Sequence, residues 1–231
     1  MNKWYLLTWT LLLVSCKETN EKKAAIAPPP VKKDVNLVWM TDGTDTSEYK
    51  NGDILLIKSK SDLSPPISLA TGSEYTHCAV FWQPKFRRND RAVIIEANQG
   101  IQFTPFKEFI QERDGSVLLV MRLKERDKKI NRKKEHDFFE KALRWATRPY
   151  DGEFRWSDDR LYCSELVYKL YSHIGIRLCP LKKLRDYDLS SPLVKTELEK
   201  RYGKNIPYEE PVVAPSDLIY SPLLDTVFYI K

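Results

Sequence analysis

At 231 residues, 42% hydrophobic and 30% charged, the chain is long enough for one domain with a full core or two small ones, and its composition is that of a globular protein. The net charge of +6 is modest and is not gathered into one basic block, which argues against a nucleic-acid partner and suits a face that tolerates anionic envelope surfaces. Four cysteines in a chain of this size exclude a small scaffold held by disulfides, because the core alone is large enough.

Residues 1–16 read as a targeting segment. Lys3 is a minimal positive region, and Trp4 to Val14 is an apolar run, too short for a bilayer-spanning helix of about 20 residues. It ends in Leu13-Val14-Ser15-Cys16, which resembles the bacterial lipobox, whose cysteine is lipidated and becomes the mature N-terminus. A plain secretory signal with a chance cysteine is the alternative. Residues 17–34 are charged and then proline-rich, with almost nothing to bury, and are expected to be a disordered tether. Residues 35–231 are then the folded domain, held at the bacterial cell envelope by a lipid anchor, facing the periplasm or on the outer membrane. With Cys16 lipidated three cysteines remain, so at least one thiol is free.

Asn51-Gly52-Asp53 is a turn signal leading into Ile54-Leu55-Leu56-Ile57, a short buried strand. Ser64-Pro65-Pro66 starts a short helix that Gly72 closes. His77-Cys78-Ala79-Val80-Phe81-Trp82 reads as a second buried strand with His77 at its mouth, either a packed histidine or a site residue. Gln83 to Arg91 is a polar hairpin loop, and Ala92 to Ala97 a third strand. A hairpin of this length returns Glu96 beside His77. An acid there is either a solvated strand end or the partner that orients the imidazole. Adjacent strand residues face opposite ways, so with His77 turned to a cleft, Cys78 is expected behind it in the core as an inert thiol.

Thr104-Pro105 reads as a cap and first turn opening a helix from Phe106 to Arg113. Val117 to Met121 is a further strand, Lys124 to Lys134 a solvated charge run, and a helix occupies roughly Asn131 to Thr147. Next, an irregular acidic segment turns into a helix at Cys163, with Leu166, Val167, Leu170 and Ile174 at helical spacing and Gly175 as the stop. A thiol in a first helical turn sits among unpaired N–H groups that favour the thiolate. It is otherwise a small buried hydrophobe. After Gly175 come a basic loop with Cys179, a helix from Ser191-Pro192 to Gly203, a short helix at Pro215-Ser216-Asp217-Leu218 and a last strand, Thr226 to Ile230. No spacing of cysteines and histidines suggests zinc, and no cofactor fingerprint is present.

A histidine at a strand start, an acid one strand later and a cysteine opening a helix, in that order, resemble the circularly permuted branch of the NlpC-type papain-like cysteine hydrolases, most closely its YiiX-like group. The patterns that carry the likeness are Gly-Asp-Ile-Leu-Leu at 52–56, Ala-Thr-Gly-Ser-Glu-Tyr-Thr-His at 70–77, Ile-Ile-Glu-Ala at 94–97, Tyr-Asp-Gly-Glu-Phe at 150–154 and Tyr-Cys-Ser-Glu-Leu-Val at 162–167. The resemblance implies an α+β fold, a permuted papain-like core with a central antiparallel sheet and the nucleophile helix packed on it. It implies Cys163 as nucleophile, His77 as general base and Glu96 as the residue that orients it. Backbone N–H groups around Cys163 and Ser164, with Tyr75 or Tyr162, are candidate oxyanion or substrate donors. For an envelope protein the implied substrate is an amide in a peptidoglycan stem peptide or another envelope amide. Two rivals remain, a lipid or acyl-amide hydrolase of the lecithin retinol acyltransferase type and a non-catalytic binding domain. Residues 180–214 match nothing that assigns them a role.

Overall fold

The computed structural model describes residues 46–84, 92–112 and 118–230. The expected signal segment, Cys16 and the tether lie outside the described residues, as does most of the loop between the second and third strands. The elements follow the chain as β1 (Ile54–Ile57), α1 (Ser64–Thr71), β2 (His77–Trp82), β3 (Val93–Ala97), β4 (Ile101–Pro105), α2 (Phe106–Glu112), β5 (Leu118–Leu123), α3 (Arg126–Lys129), α4 (Arg132–Trp145) and α5 (Cys163–His173). Then come β6 (Lys182–Lys183), a 3-10 turn (Leu184–Asp186), α6 (Pro192–Tyr202), β7 (Pro211–Val212), α7 (Pro215–Ile219) and β8 (Leu224–Ile230). Six strands form one antiparallel sheet in the order β4-β3-β2-β1-β5-β8.

The central strands are continuous apolar runs because both faces of the sheet are covered. On one face Leu55, Ile57, Ala79, Phe81, Ile94 and Val120 pack with the aromatic rings of Tyr49, Phe106, Phe109 and Phe228. On the other, Ile54, Leu56, Cys78, Val80, Ile95 and Met121 meet α4 and α5. Helix α5 lies across β2 and β3. It buries Leu166, Val167, Leu170 and Tyr171 completely, each worth about 1.5–3 kcal/mol relative to exposure. The Tyr171 hydroxyl donates to the Gly52 carbonyl. Gly52 has φ +91°, and a Cβ there would meet that hydroxyl at 3.0 Å, so the turn before β1 requires glycine.

Asp53, fully buried, takes two 2.7 Å bonds from the Arg122 guanidinium on β5 and a 2.8 Å bond from the Lys50 N–H. This planar fork fixes the entry to β1 against its neighbour. Burial pushes the Asp53 carboxyl up, and Arg122 opposes that shift.

Two expectations need correction. Thr104-Pro105 does not cap a helix; it ends β4, an edge strand paired with β3 through Val93↔Pro105 to Ala97↔Ile101. Proline is tolerated there because one side of an edge strand has no ladder to donate to, and α2 follows directly at Phe106. The last strand also begins earlier, at Leu224. Residues 180–214, to which the sequence assigned no role, hold the β6–β7 pair and the helix expected from Ser191-Pro192 to Gly203, α6, which packs against α1. No helix among the described residues is long and apolar enough to cross a membrane.

Candidate active site

Helix α5 starts at Cys163 because Tyr162 is extended (φ −95°, ψ 170°) and the Glu165 carboxylate, three residues into the helix, accepts the Tyr162 N–H at 3.4 Å. Burial pushes Glu165 up to about 7, while Lys169 at 2.9 Å opposes it. The Cys163 thiol is thereby presented at the sheet end where β2 begins.

His77, the first residue of β2, is buried, and its Nε2 lies 2.9 Å from Glu96 Oε2. The side chains of His77 and Cys163 are hydrogen-bonded, which leaves Nδ1 for the sulfur. Burial alone would lower the His77 pKa, but the Cys163 sulfur and then Glu96 outweigh it and raise it to about 9. Glu96 is fully buried. Burial pushes its carboxyl up, yet His77, Thr104 and Gln102 together bring it down to about 2. Thr104 Oγ1 donates to Glu96 Oε1 at 2.7 Å and Gln102 Nε2 at 3.2 Å.

The Cys163 pKa is held well below the ordinary thiol value. The largest cause is a hydrogen bond from the Cys78 side chain, followed, against the cost of burial, by His77 and the Cys78 backbone. Burial and the neighbouring Cys163 in turn push the Cys78 thiol well up. Strand alternation does place Cys78 opposite His77, as expected, and Cys78 is fully buried. It is not behind the site, however, because α5 packs on that same face and sets Cys163 against it. Cys78, Cys163 and Cys179 are all free thiols.

Cys163 opens onto a half-enclosed, mostly apolar cavity lined by α1, α6 and the residues around Val213. Tyr162 and Ser164 line it, but both are committed to protein: the Tyr162 hydroxyl accepts the Val213 N–H at 3.1 Å, and the Ser164 hydroxyl donates to the Val213 carbonyl at 2.7 Å. Tyr75 packs in the core cluster and is not among the cavity's lining residues. Sequence reasoning missed a third tyrosine, Tyr150, which lines the cavity and interacts electrostatically with the Cys163 sulfur; burial, then that sulfur, raise its pKa and keep the phenol protonated. It also missed Gln102 and Thr104. Their signal is polar alternation in Ile-Gln-Phe-Thr-Pro, the strand that sets Gln102 opposite Glu96.

Comparison with known proteins bears on this geometry. A family model described as permuted papain-like amidase enzyme, YaeF/YiiX, C92 family, matches residues 48–228. The protein YiiX of Escherichia coli K12, described as uncharacterized, is 37% identical over 179 residues, covering 77% of this chain and 85% of the relative. The crystal structure of YiiX from E. coli O157:H7, described there as a metalloprotein, superposes with a TM-score of 0.70 at 37% identity, covering 78% of this chain and 96% of that one. In the present chain His77 is engaged by Glu96 and Cys163. No group of three or more His, Cys, Asp or Glu side chains among the described residues is arranged to hold a metal ion.

Proposed function

The chain belongs to the permuted papain-like amidase family of the YaeF/YiiX type, and from that premise we propose that it is a cysteine hydrolase that cleaves an amide bond through Cys163, His77 and Glu96. One observation carries the reading: a thiol at a helix start, hydrogen-bonded to a buried histidine whose other ring nitrogen is held by a buried carboxylate. With the thiol depressed and the imidazole raised, the pair rests as thiolate and imidazolium, and no proton need leave before attack.

In the first step the Cys163 sulfur adds to the amide carbonyl carbon. The charge that develops on oxygen meets the backbone N–H groups at the start of α5 and the protonated Tyr150 hydroxyl. The C–N bond breaks as imidazolium Nδ1 protonates the leaving nitrogen. Water, deprotonated by the now neutral His77, then attacks the thioester, releases the acid and restores the ion pair. Glu96 keeps Nε2–H oriented and stabilises the imidazolium throughout.

The site is assigned to the cell envelope, with Cys16 lipidated as the membrane anchor. The substrate that the resemblance implies there is an amide in a peptidoglycan stem peptide, with an acylated amide as the alternative. The test of the reaction is mass spectrometry of the purified protein incubated with sacculi and, separately, with acylated amides. Cleavage at an amide that disappears in both Cys163→Ser and His77→Ala is the expected result. Turnover retained in Cys163→Ser would overturn the reading.

A further inference from the structure

Between α4 and α5 the chain runs from Pro149 to Leu161 without a regular element, and isolated bridges tie its ends, Gly100 to Pro149 and Tyr150 to Leu161. Tyr150 stands at the head of this loop, where it interacts with the Cys163 sulfur. The loop folds back on itself: the Asp151 carboxylate accepts the Glu153 N–H at 2.9 Å and the Arg155 N–H at 2.5 Å. Phe154 has φ +51°, a conformation that a bulky residue keeps only where its surroundings over-determine it.

Those surroundings come largely from residues 180–214, the segment to which the sequence assigned no role. Near the end of α6, Arg201 Nη1 donates to the Gly152 carbonyl, and its guanidinium lies 4.6 Å from the Phe154 ring centroid. The next residue, Tyr202, donates its hydroxyl to the Glu153 carbonyl. Beyond α6, one Glu210 oxygen accepts the Trp156 N–H at 2.7 Å, and Arg155 Nη1 lies 3.4 Å from the other. Arg201 is itself fixed, because Glu197 Oε1, one turn back, holds its Nε and Nη2 at 3.0 and 2.9 Å. A planar fork held along one edge and donating from its third nitrogen is a rigid strut. Its charge is balanced by Glu197, so its contribution here is mechanical.

We infer that Arg201 is a positioning residue for the proposed reaction: through Gly152 and Phe154 it fixes the loop that carries Tyr150, and so sets the phenol where the oxyanion forms. The inference rests on Cys163 as nucleophile and on Tyr150 as oxyanion donor. Such a donor is effective because it is already in place when charge develops, and a misplacement of about 1 Å can lower turnover about 10²-fold. On an irregular loop nothing local gives that precision, and α6 supplies it from behind. Residues 180–214 then hold a reacting group in place from outside the reacting atoms.

The experiment uses the purified full chain and butanal labelled with carbon-13 at its carbonyl, which reports the oxyanion donors without a leaving group. The Cys163 sulfur adds to the aldehyde carbon, the C=O π pair moves to oxygen and the imidazolium proton follows it, giving a hemithioacetal whose NMR signal measures affinity. Tyr150→Phe is expected to weaken butanal binding about tenfold, and Arg201→Met by a comparable factor. Iodoacetamide alkylation of Cys163 without aldehyde should keep its wild-type rate and pH profile in both. In the Tyr150→Phe background, Arg201→Met should cost less than about twofold further, since the group it positions is already gone. Tyr202→Phe, which removes only the hydroxyl on the Glu153 carbonyl, should follow the same pattern at about threefold and decides the matter if Arg201→Met does not fold. Equal losses with and without the Tyr150 hydroxyl, wild-type affinity, or a loss accompanied by an altered alkylation profile overturns the inference. Unchanged affinity in Tyr150→Phe removes the donor, and the inference with it, while Cys163 stays the nucleophile. A hemithioacetal signal that survives in Cys163→Ser removes the nucleophile reading itself.

Discussion

The Cys163 sulfur has three neighbours that act on its charge, His77 and both the side chain and backbone of Cys78. Iodoacetamide should therefore alkylate Cys163 at pH 6 within about threefold of its rate at pH 8, where an ordinary thiol would slow about a hundredfold. Peptide mapping should find Cys78 and Cys179 unmodified, since burial raises both thiols. Cys78→Ala removes a donor to the thiolate, and the alkylation profile should move to higher pH; an unmoved profile would reduce Cys78 to packing. The imidazolium sets the other limit. His77 is raised to about 9, so kcat/KM should fall as pH rises through about 9 and the proton needed by the leaving amine is lost. Glu96→Gln still fills its space but cannot balance the imidazolium, and turnover should drop about 10²–10⁴-fold with the fold intact. Activity within about threefold of the wild type would make Glu96 a structural residue.

Among the elements, β1, β2 and β3 were legible because an uninterrupted apolar run has few alternatives, and because one histidine and one acid stood out at its ends. The hairpin argument set Glu96 beside His77 from loop length alone, and their side chains lie 2.9 Å apart. Strand β4 was not legible: Thr-Pro signals a helix start and tolerates an edge-strand end equally well, and only tertiary pairing separates the two. The face on which α5 packs was equally hidden, since alternation tells that Cys78 and His77 diverge but not which side the helix takes. Cavity walls leave no periodic trace at all. The Asp53–Arg122 fork was missed for a related reason, as its partners lie far apart in the chain. Arg122→Met leaves the Asp53 carboxylate buried without its cation and should cost about 3 kcal/mol or more, read as a lower urea midpoint with an unchanged slope. A loss within about 0.5 kcal/mol would show that solvent already screens the pair.

At the scale of the whole molecule, the proposed lipid anchor and the folded domain make separate predictions. Cys16→Ala should leave the protein soluble or unprocessed while Cys163 alkylation proceeds unchanged; a variant that is processed and partitions into membranes as before would remove the lipid anchor. The order of the site residues along the chain has a consequence for biosynthesis. Strands β1 to β5, with His77 and Glu96, precede Cys163 in sequence, and a chain emerges from the ribosome N-terminus first. The sheet and the imidazole–carboxylate pair are thus available before Cys163 has been made. Until α5 closes onto β2, Cys163 has neither the imidazolium nor the Cys78 donors beside it, and it remains an ordinary thiol, mostly protonated at neutral pH. The permuted order therefore delays the appearance of a reactive thiolate to the last stage of assembly, so that a nascent or arrested chain meets oxidants and other proteins with Cys163 still an ordinary thiol.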